Sequence, residues 1–170
     1  MRSTTKTLIT SERQQSLGEE IANSVSSGLC LLAIIAGIPF LFRSAVQRGD
    51  RLSLAGAIVF AASMVVLYLT STVYHALPQS KVKDLFLRFD HSAIFLFIAG
   101  SYTPFTLGAL RGNLGWTQEG LLWIVAGGLA YTTGVLFFVA KRVRYAHFIW
   151  HLFVAAGTAC HFWAVLWYAG

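Results

Sequence analysis

Residues 120–140 read GLLWIVAGGLAYTTGVLFFVA, with no charged side chain along the stretch. Crossing the hydrocarbon core of a bilayer takes roughly 20 mostly apolar residues in a helix, and a helix satisfies its own backbone hydrogen bonds there. Four further stretches follow the same pattern, at about Ile21 to Phe42, Leu52 to Leu77, Phe89 to Leu110, and Ala146 to the end of the chain. Pro78 stops the second, and Pro104 is placed to bend the third. The expected fold is therefore an all-α polytopic membrane helix bundle of five transmembrane helices. A polar N-terminal segment, residues 1–20, precedes a single bundle domain, residues 21–170.

Composition agrees. The chain is 56% hydrophobic and 12% charged, with a mean hydropathy of +0.63, whereas soluble domains carry about 25% charged residues. After five spans, 170 residues leave no room for a separate catalytic domain outside the membrane. Cys30 and Cys160 both lie within apolar runs, which is no disulfide framework. Residues 1–20 have neither the apolar core nor the small-residue cleavage site of a secretory signal peptide. The formal charge of +6 sits between the apolar segments, so it informs topology and does not point to a nucleic-acid partner. Placing the N-terminus in the cytoplasm puts Arg2, Lys6, Arg13, Lys81, Lys83, Arg88, Lys141, Arg142 and Arg144 inside, and leaves Arg43, Arg48, Arg51 and Arg111 outside. Positive residues favour the cytoplasmic side, so the expectation is N-in and C-out. Trp163, Trp167 and Tyr168 fall where an aromatic belt belongs.

An ionisable group at the centre of a membrane helix costs about 2.5–3.5 kcal/mol on insertion scales, so such groups usually face a bundle interior and serve a function. Antiparallel succession brings the end of span two, the start of span three and the start of span five to one depth. These carry Ser71 and His75, then Asp90 and His91, then His147 and His151; Glu19, Glu20, Asn23 and Ser24 lie on the same side in span one. His147 and His151 are four apart, as are Ser71 and His75, so each pair shares a helical face. The first spacing is that of the two ligand histidines in the helical zinc motif HExxH. Adding His75 gives three histidines and an open water position, the arrangement of a catalytic zinc. Asp90 is expected to orient a ligand or the water, and Ser71 to stabilise an oxyanion, so these two are the catalytic candidates. His161, about 15 Å deeper than His151, and His91, about 100° round the helix from Asp90, are expected to pack and not to ligate. The charged start of span one reads most simply as a helix N-terminus placed favourably in its dipole. Ala33, Gly37, Gly127 and Gly128 are expected to allow close helix packing. Gly49-Asp50 and Gly112-Asn113 read as turns.

With these residues in view, the chain resembles the hemolysin III family, the bacterial branch of the progestin and adipoQ receptor superfamily. The resemblance is carried by EEIANSVSSG (19–28), LTSTVYHALP (69–78), LRFDHSAIFLFIAGSYTPF (87–105), LRGNLGW (110–116) and AHFIWHLFVAAGTACHF (146–162). It implies a Zn²⁺ bound by His75, His147 and His151, with Ser71 and Asp90 beside it, in the plasma (inner) membrane of a bacterium. The wider superfamily includes alkaline ceramidases, which implies a membrane lipid as substrate and hydrolysis of its amide or ester bond. Founding members were named for lysing red cells, so a pore-forming or receptor-like protein with a structural zinc, closed by Asp90 as fourth ligand, is the alternative. A b-type haem between His75 and a span-five histidine is a third reading.

Two departures from the family pattern stand out. Members often read N-x₃-H in span one, where this chain has Asn23 and Ser27. The family has seven spans and this chain five: LGWTQEGLLWIVAGG resembles the front of the family's fourth span, and GGLAYTTGVLFFVAKR its sixth. Losing two spans keeps the parity that brings the site residues together. It also removes a wall, which opens the site to lipid or calls for a partner subunit in a homo-oligomer.

Overall fold

The computed structural model describes residues 13–109 and 118–168. Arg2, Lys6, Arg111, the 112–113 turn and the whole LRGNLGW motif lie outside the described residues. Within them the chain forms five helices, α1 (Leu17–Gln47), α2 (Arg51–Ala76), α3 (Lys81–Ala109), α4 (Gln118–Val139) and α5 (Ala146–Tyr168). The order matches the five apolar stretches. α1, α2, α4 and α5 are each long and apolar enough to cross a membrane. In α3 the apolar part is shorter, because Lys81, Lys83, Asp84, Arg88 and Asp90 occupy its first turns. The helix therefore begins eight residues before the expected Phe89: hydropathy registers the hydrocarbon-buried part of a helix, not its charged extension.

Local chemistry sets the ends. Ser16 caps α1 in a reciprocal capping box with Glu19. Gly49 takes a positive φ of 76° in the α1–α2 turn, and Asp50 then caps α2 by accepting from the Ser53 N–H. α2 stops as expected at Pro78, with Leu77 before it in extended backbone.

The helices pack in the spatial order α3, α2, α1, α5, α4. α2 lies against both α1 and α3, and α5 against both α1 and α4, while α3 reaches α5 only marginally. The helix axes thus form an arc whose two ends, α3 and α4, meet through side chains, Phe97 against Tyr131 and His91 against Phe138. Its interior is built on Leu41, Phe60, Met64, Phe97 and Val165. Its outer face is as apolar as its core, with Leu32, Phe40, Phe95, Leu122 and Leu136 each more than half exposed. Water would not tolerate so large an apolar surface, but lipid does. The chain is an integral membrane protein.

Small residues set the helix spacings, though not all those expected. A Cβ on Gly37 would meet the Phe162 ring at 2.9 Å, and one on Gly127 would meet the Gly157 carbonyl at 3.1 Å and His161 closer still. Ala33 is exposed, and Gly128 meets nothing nearer than the Tyr102 hydroxyl at 3.9 Å, so these two do not act as spacers. Gly56 does: a Cβ there would stand 2.8 Å from the Pro104 Cα, a backbone atom that cannot swing aside. Gly56→Ala is accordingly expected to destabilise the bundle by about 1–3 kcal/mol, and Gly128→Ala to leave it unchanged. Thermal melting of the two variants in detergent, with equal melting points as the contrary result, checks this.

Candidate metal centre

The charged end of the bundle brings three histidines from two helices to one point. His75 comes from the last turn of α2, and His147 and His151 from the first two turns of α5. Ring centroids are 4.7 Å apart for His147–His151 and 5.1 Å for each of the other two pairs. One nitrogen from each ring lies within 4.8 Å of the other two, a group that could hold a metal ion. His75 is buried, and His147 and His151 are partly so.

Hydrogen bonding on the far side of the rings decides which nitrogens face inward. Glu20 Oε2 takes the Nδ1 of His75 at 2.7 Å, and Ser26 and Ser27 hydroxyls lie 3.3 and 3.2 Å from the Nδ1 of His151. The Nε2 atoms of His75 and His147 are buried with no partner. Leaving such atoms unpaired in a low-dielectric interior is costly, and a cation between the rings would resolve both. The residues therefore fit a metal ion. Rings this close leave space for an ion and not for the broad macrocycle of a haem.

α1 supplies the support that the sequence reading undervalued. Its two adjacent acids do more than open the helix, since each reaches a different helix. Glu20 orients His75 through one oxygen and accepts from the buried Lys83 Nζ through the other, at 2.8 Å. Glu19 accepts from the Tyr145 N–H at 2.8 Å, besides pairing with Arg13 and the Ser16 hydroxyl, and so fixes the start of α5 two residues before His147. Tyr145 holds a left-handed φ of 57°, the bend that lets α5 begin there. Ser27 bridges Ser71 at 3.0 Å and His151 at 3.2 Å. The signal available in the sequence was depth: Glu20 and Ser27 lie within a turn of the histidines' level.

Asp90 and Ser71 sit together, but beyond the rings. Both line a cavity of about 530 Å³ that runs toward the bundle centre past Cys30, Tyr68 and Phe97. Asp90 is buried and faces the Ser71 hydroxyl. Its carboxylate is not in the ligand-distance group, so the fourth-ligand role is not built, and the carboxylate that orients a histidine is Glu20. His91 is not in the ligand-distance group; its ring stands edge-on to Phe138 at 6.1 Å and lines a small cavity with His147. His161 packs as expected: it is fully buried against Gly127, with its Nε2 at 3.3 Å from the Ile124 carbonyl.

Fold and site together define a polytopic helical membrane protein with a three-histidine candidate metal centre at one end of the bundle. The pattern of the family described as Haemolysin-III related matches residues 15–118, and the chain belongs to that family. It is 32% identical to a hemolysin-3 homolog of Bacillus subtilis (strain 168), over 88% of this chain and 94% of the relative. It is likewise 32% identical to hemolysin-3 of Bacillus cereus, over 91% and 93%, and 25% identical to the human monocyte to macrophage differentiation factor, over 86% and 83%. No solved structure matches the chain. The alignment to the Bacillus subtilis relative is 200 positions long, and 88% of 170 residues is about 150. About 50 positions thus have no residue of this chain opposite them, the length of two spans with their loops.

Because Glu20 both orients His75 and raises its basicity, Glu20→Gln is expected to weaken divalent-metal binding about 10–100-fold. Competition against a chelator of known affinity reads this directly. Unchanged affinity would show that the Glu20–His75 contact does not support a ligand.

Proposed function

We propose that His75, His147 and His151 hold one Zn²⁺ and that the chain hydrolyses an amide or ester bond of a membrane lipid in the cytoplasmic leaflet. The observation that carries this reading is the pair of buried, unpartnered Nε2 atoms in a cluster whose third ring, His151, lines a lipid-sized apolar cavity together with Asp90 and Ser71. Ligand pockets commonly span about 300–1,000 Å³, and this one lies within that range. Bound there, zinc would supply a Lewis acid for the carbonyl and a water with a pKa near 7.

The chain's own residues supply the rest. The apolar walls hold an acyl chain and exclude bulk water. Asp90 stands on the cavity side of the rings, where it accepts the proton that the attacking water gives up. Ser71 donates its hydroxyl hydrogen to the oxygen on which charge develops, and its contact with Ser27 holds that hydroxyl in place. Lys83 balances the charge of Glu20 so that the carboxylate remains ionised behind His75. A site with three protein ligands and an uncommitted fourth position favours catalysis over a closed structural zinc. The relatives' printed name points to lysis, but the cavity walls here are apolar and not those of a water-filled pore.

Purified wild type is expected to contain about one zinc per chain by mass spectrometry, and His75→Ala to lose both metal and lipid hydrolysis. Asp90→Asn is expected to keep the metal while losing about 10²–10⁴-fold in kcat. Retained hydrolysis in His75→Ala would sink the reading, and metal lost with Asp90 would make it a ligand.

The orientation belongs to the same proposal. Lys81, Lys83 and Arg88 in the first turns of α3, Lys141, Arg142 and Arg144 between α4 and α5, and Arg13 before α1 all lie at the histidine end. By the positive-inside rule that end is cytoplasmic, in the plasma membrane of a bacterium. With five spans the C-terminus is then outside. A C-terminal alkaline phosphatase fusion should be active and a C-terminal green fluorescent protein fusion dark; the reverse pattern would refute either the orientation or the five-span count.

A further inference from the structure

Glu19, Asn23 and Ser27 lie one turn apart on the same face of α1, and all three are buried. Two of them are fully engaged: Glu19 by Arg13, Ser16 and Tyr145, and Ser27 by Ser71 and His151. Asn23 is not. Its Nδ2 donates to Gln15 Oε1 at 2.7 Å, but its Oδ1 is buried without any partner, in a residue that is 0% exposed. Buried amide oxygens in membrane proteins are rarely left this way.

The surroundings of Asn23 show what the oxygen faces. A second, smaller cavity of about 180 Å³ is lined by Asn23, His147, His91, Phe138, Lys141 and Tyr145. It shares no lining residue with the apolar cavity that holds Ser71, Asp90 and His151. Within the cluster His151 lines the apolar cavity toward the bundle centre and His147 lines the vestibule toward the charged end, while His75 lines a third cavity with Glu20 and Lys83. A lipid whose scissile bond lies at the rings has its acyl chain in the first and its head in the second. An amide oxygen is an acceptor only, so what meets Asn23 must bring a hydrogen.

We propose that this vestibule is a head-group subsite, in which Asn23 Oδ1 accepts a hydrogen bond from a hydroxyl on the amine or alcohol side of the scissile bond. The subsite rests on the hydrolase reading for the position of that bond. It makes Asn23 a specificity residue that selects lipids with a hydroxylated leaving group.

Three oleic acid amides test this: those of ethanolamine, of propylamine, which puts a methyl in place of the hydroxyl, and of 2-methoxyethylamine, which keeps the oxygen but not its hydrogen. Retention on the intact, metal-loaded protein is read by native mass spectrometry, and hydrolysis is followed separately in the same samples. The ethanolamine amide is expected to be retained about five- to ten-fold better than either analogue, as one hydrogen bond warrants. Asn23→Leu should abolish the preference and Asn23→Asp, which keeps an acceptor, should retain it; if Asn23→Leu does not fold, Asn23→Ala gives the same readout. Equal retention of the three amides by the wild type, or a preference that survives loss of the acceptor, overturns the proposal. Selective retention without hydrolysis would leave the subsite standing and remove the hydrolase reading. Hydrolysis without selectivity would do the opposite.

Discussion

Glu19 and Glu20, neighbours on the first turn of α1, hold the polar end of this bundle together. Consecutive residues on a helix point about 100° apart, so two adjacent acids can serve two different neighbours. Glu19 reaches the start of α5 and Glu20 the end of α2 together with Lys83 of α3. The three histidines come from α2 and α5, which both pack on α1. Their mutual distances are therefore set through α1, which contributes no histidine of its own. Removing either acid would leave a buried cation or a backbone N–H without its partner, at the depth where such losses are most expensive.

That arrangement explains how a chain with about 50 fewer aligned positions than its relative still assembles the cluster. The contacts that position the histidines run among α1, α2 and α5, with Lys83 of α3 beside them. α4 is one unbroken helix, and it packs on α5 alone as a substantial partner.

Much of this was legible in the sequence, and the rest was not for identifiable reasons. Five helices followed from apolar length, and antiparallel parity was enough to bring His75, His147 and His151 to one level. The early start of α3 was hidden because Lys81 to Arg88 look like a loop to any measure of hydropathy. The roles of Glu20, Ser27 and Lys83 depend on the rotational phase of α1 and α3 about their own axes. In a soluble helix an amphipathic stripe reports that phase. Here α1 is apolar almost all round, with Leu29, Leu32, Ile35 and Phe40 exposed to lipid beside Ile34 and Leu41 in the core, so no stripe is written into the sequence. For the same reason Ala33 and Gly128 were indistinguishable from the glycines that do sit at close contacts.

The α3–α4 flank of the arc changes what concentration means for this protein. The larger cavity reaches the bundle surface at Ile98, Val135 and Leu136, side chains that line it and are also exposed toward lipid. A molecule entering there comes sideways, by diffusion within the leaflet, without crossing water. Occupancy of the cavity then follows the mole fraction of that molecule among the surrounding lipids, and diluting the protein and its membrane together in buffer leaves it unaltered.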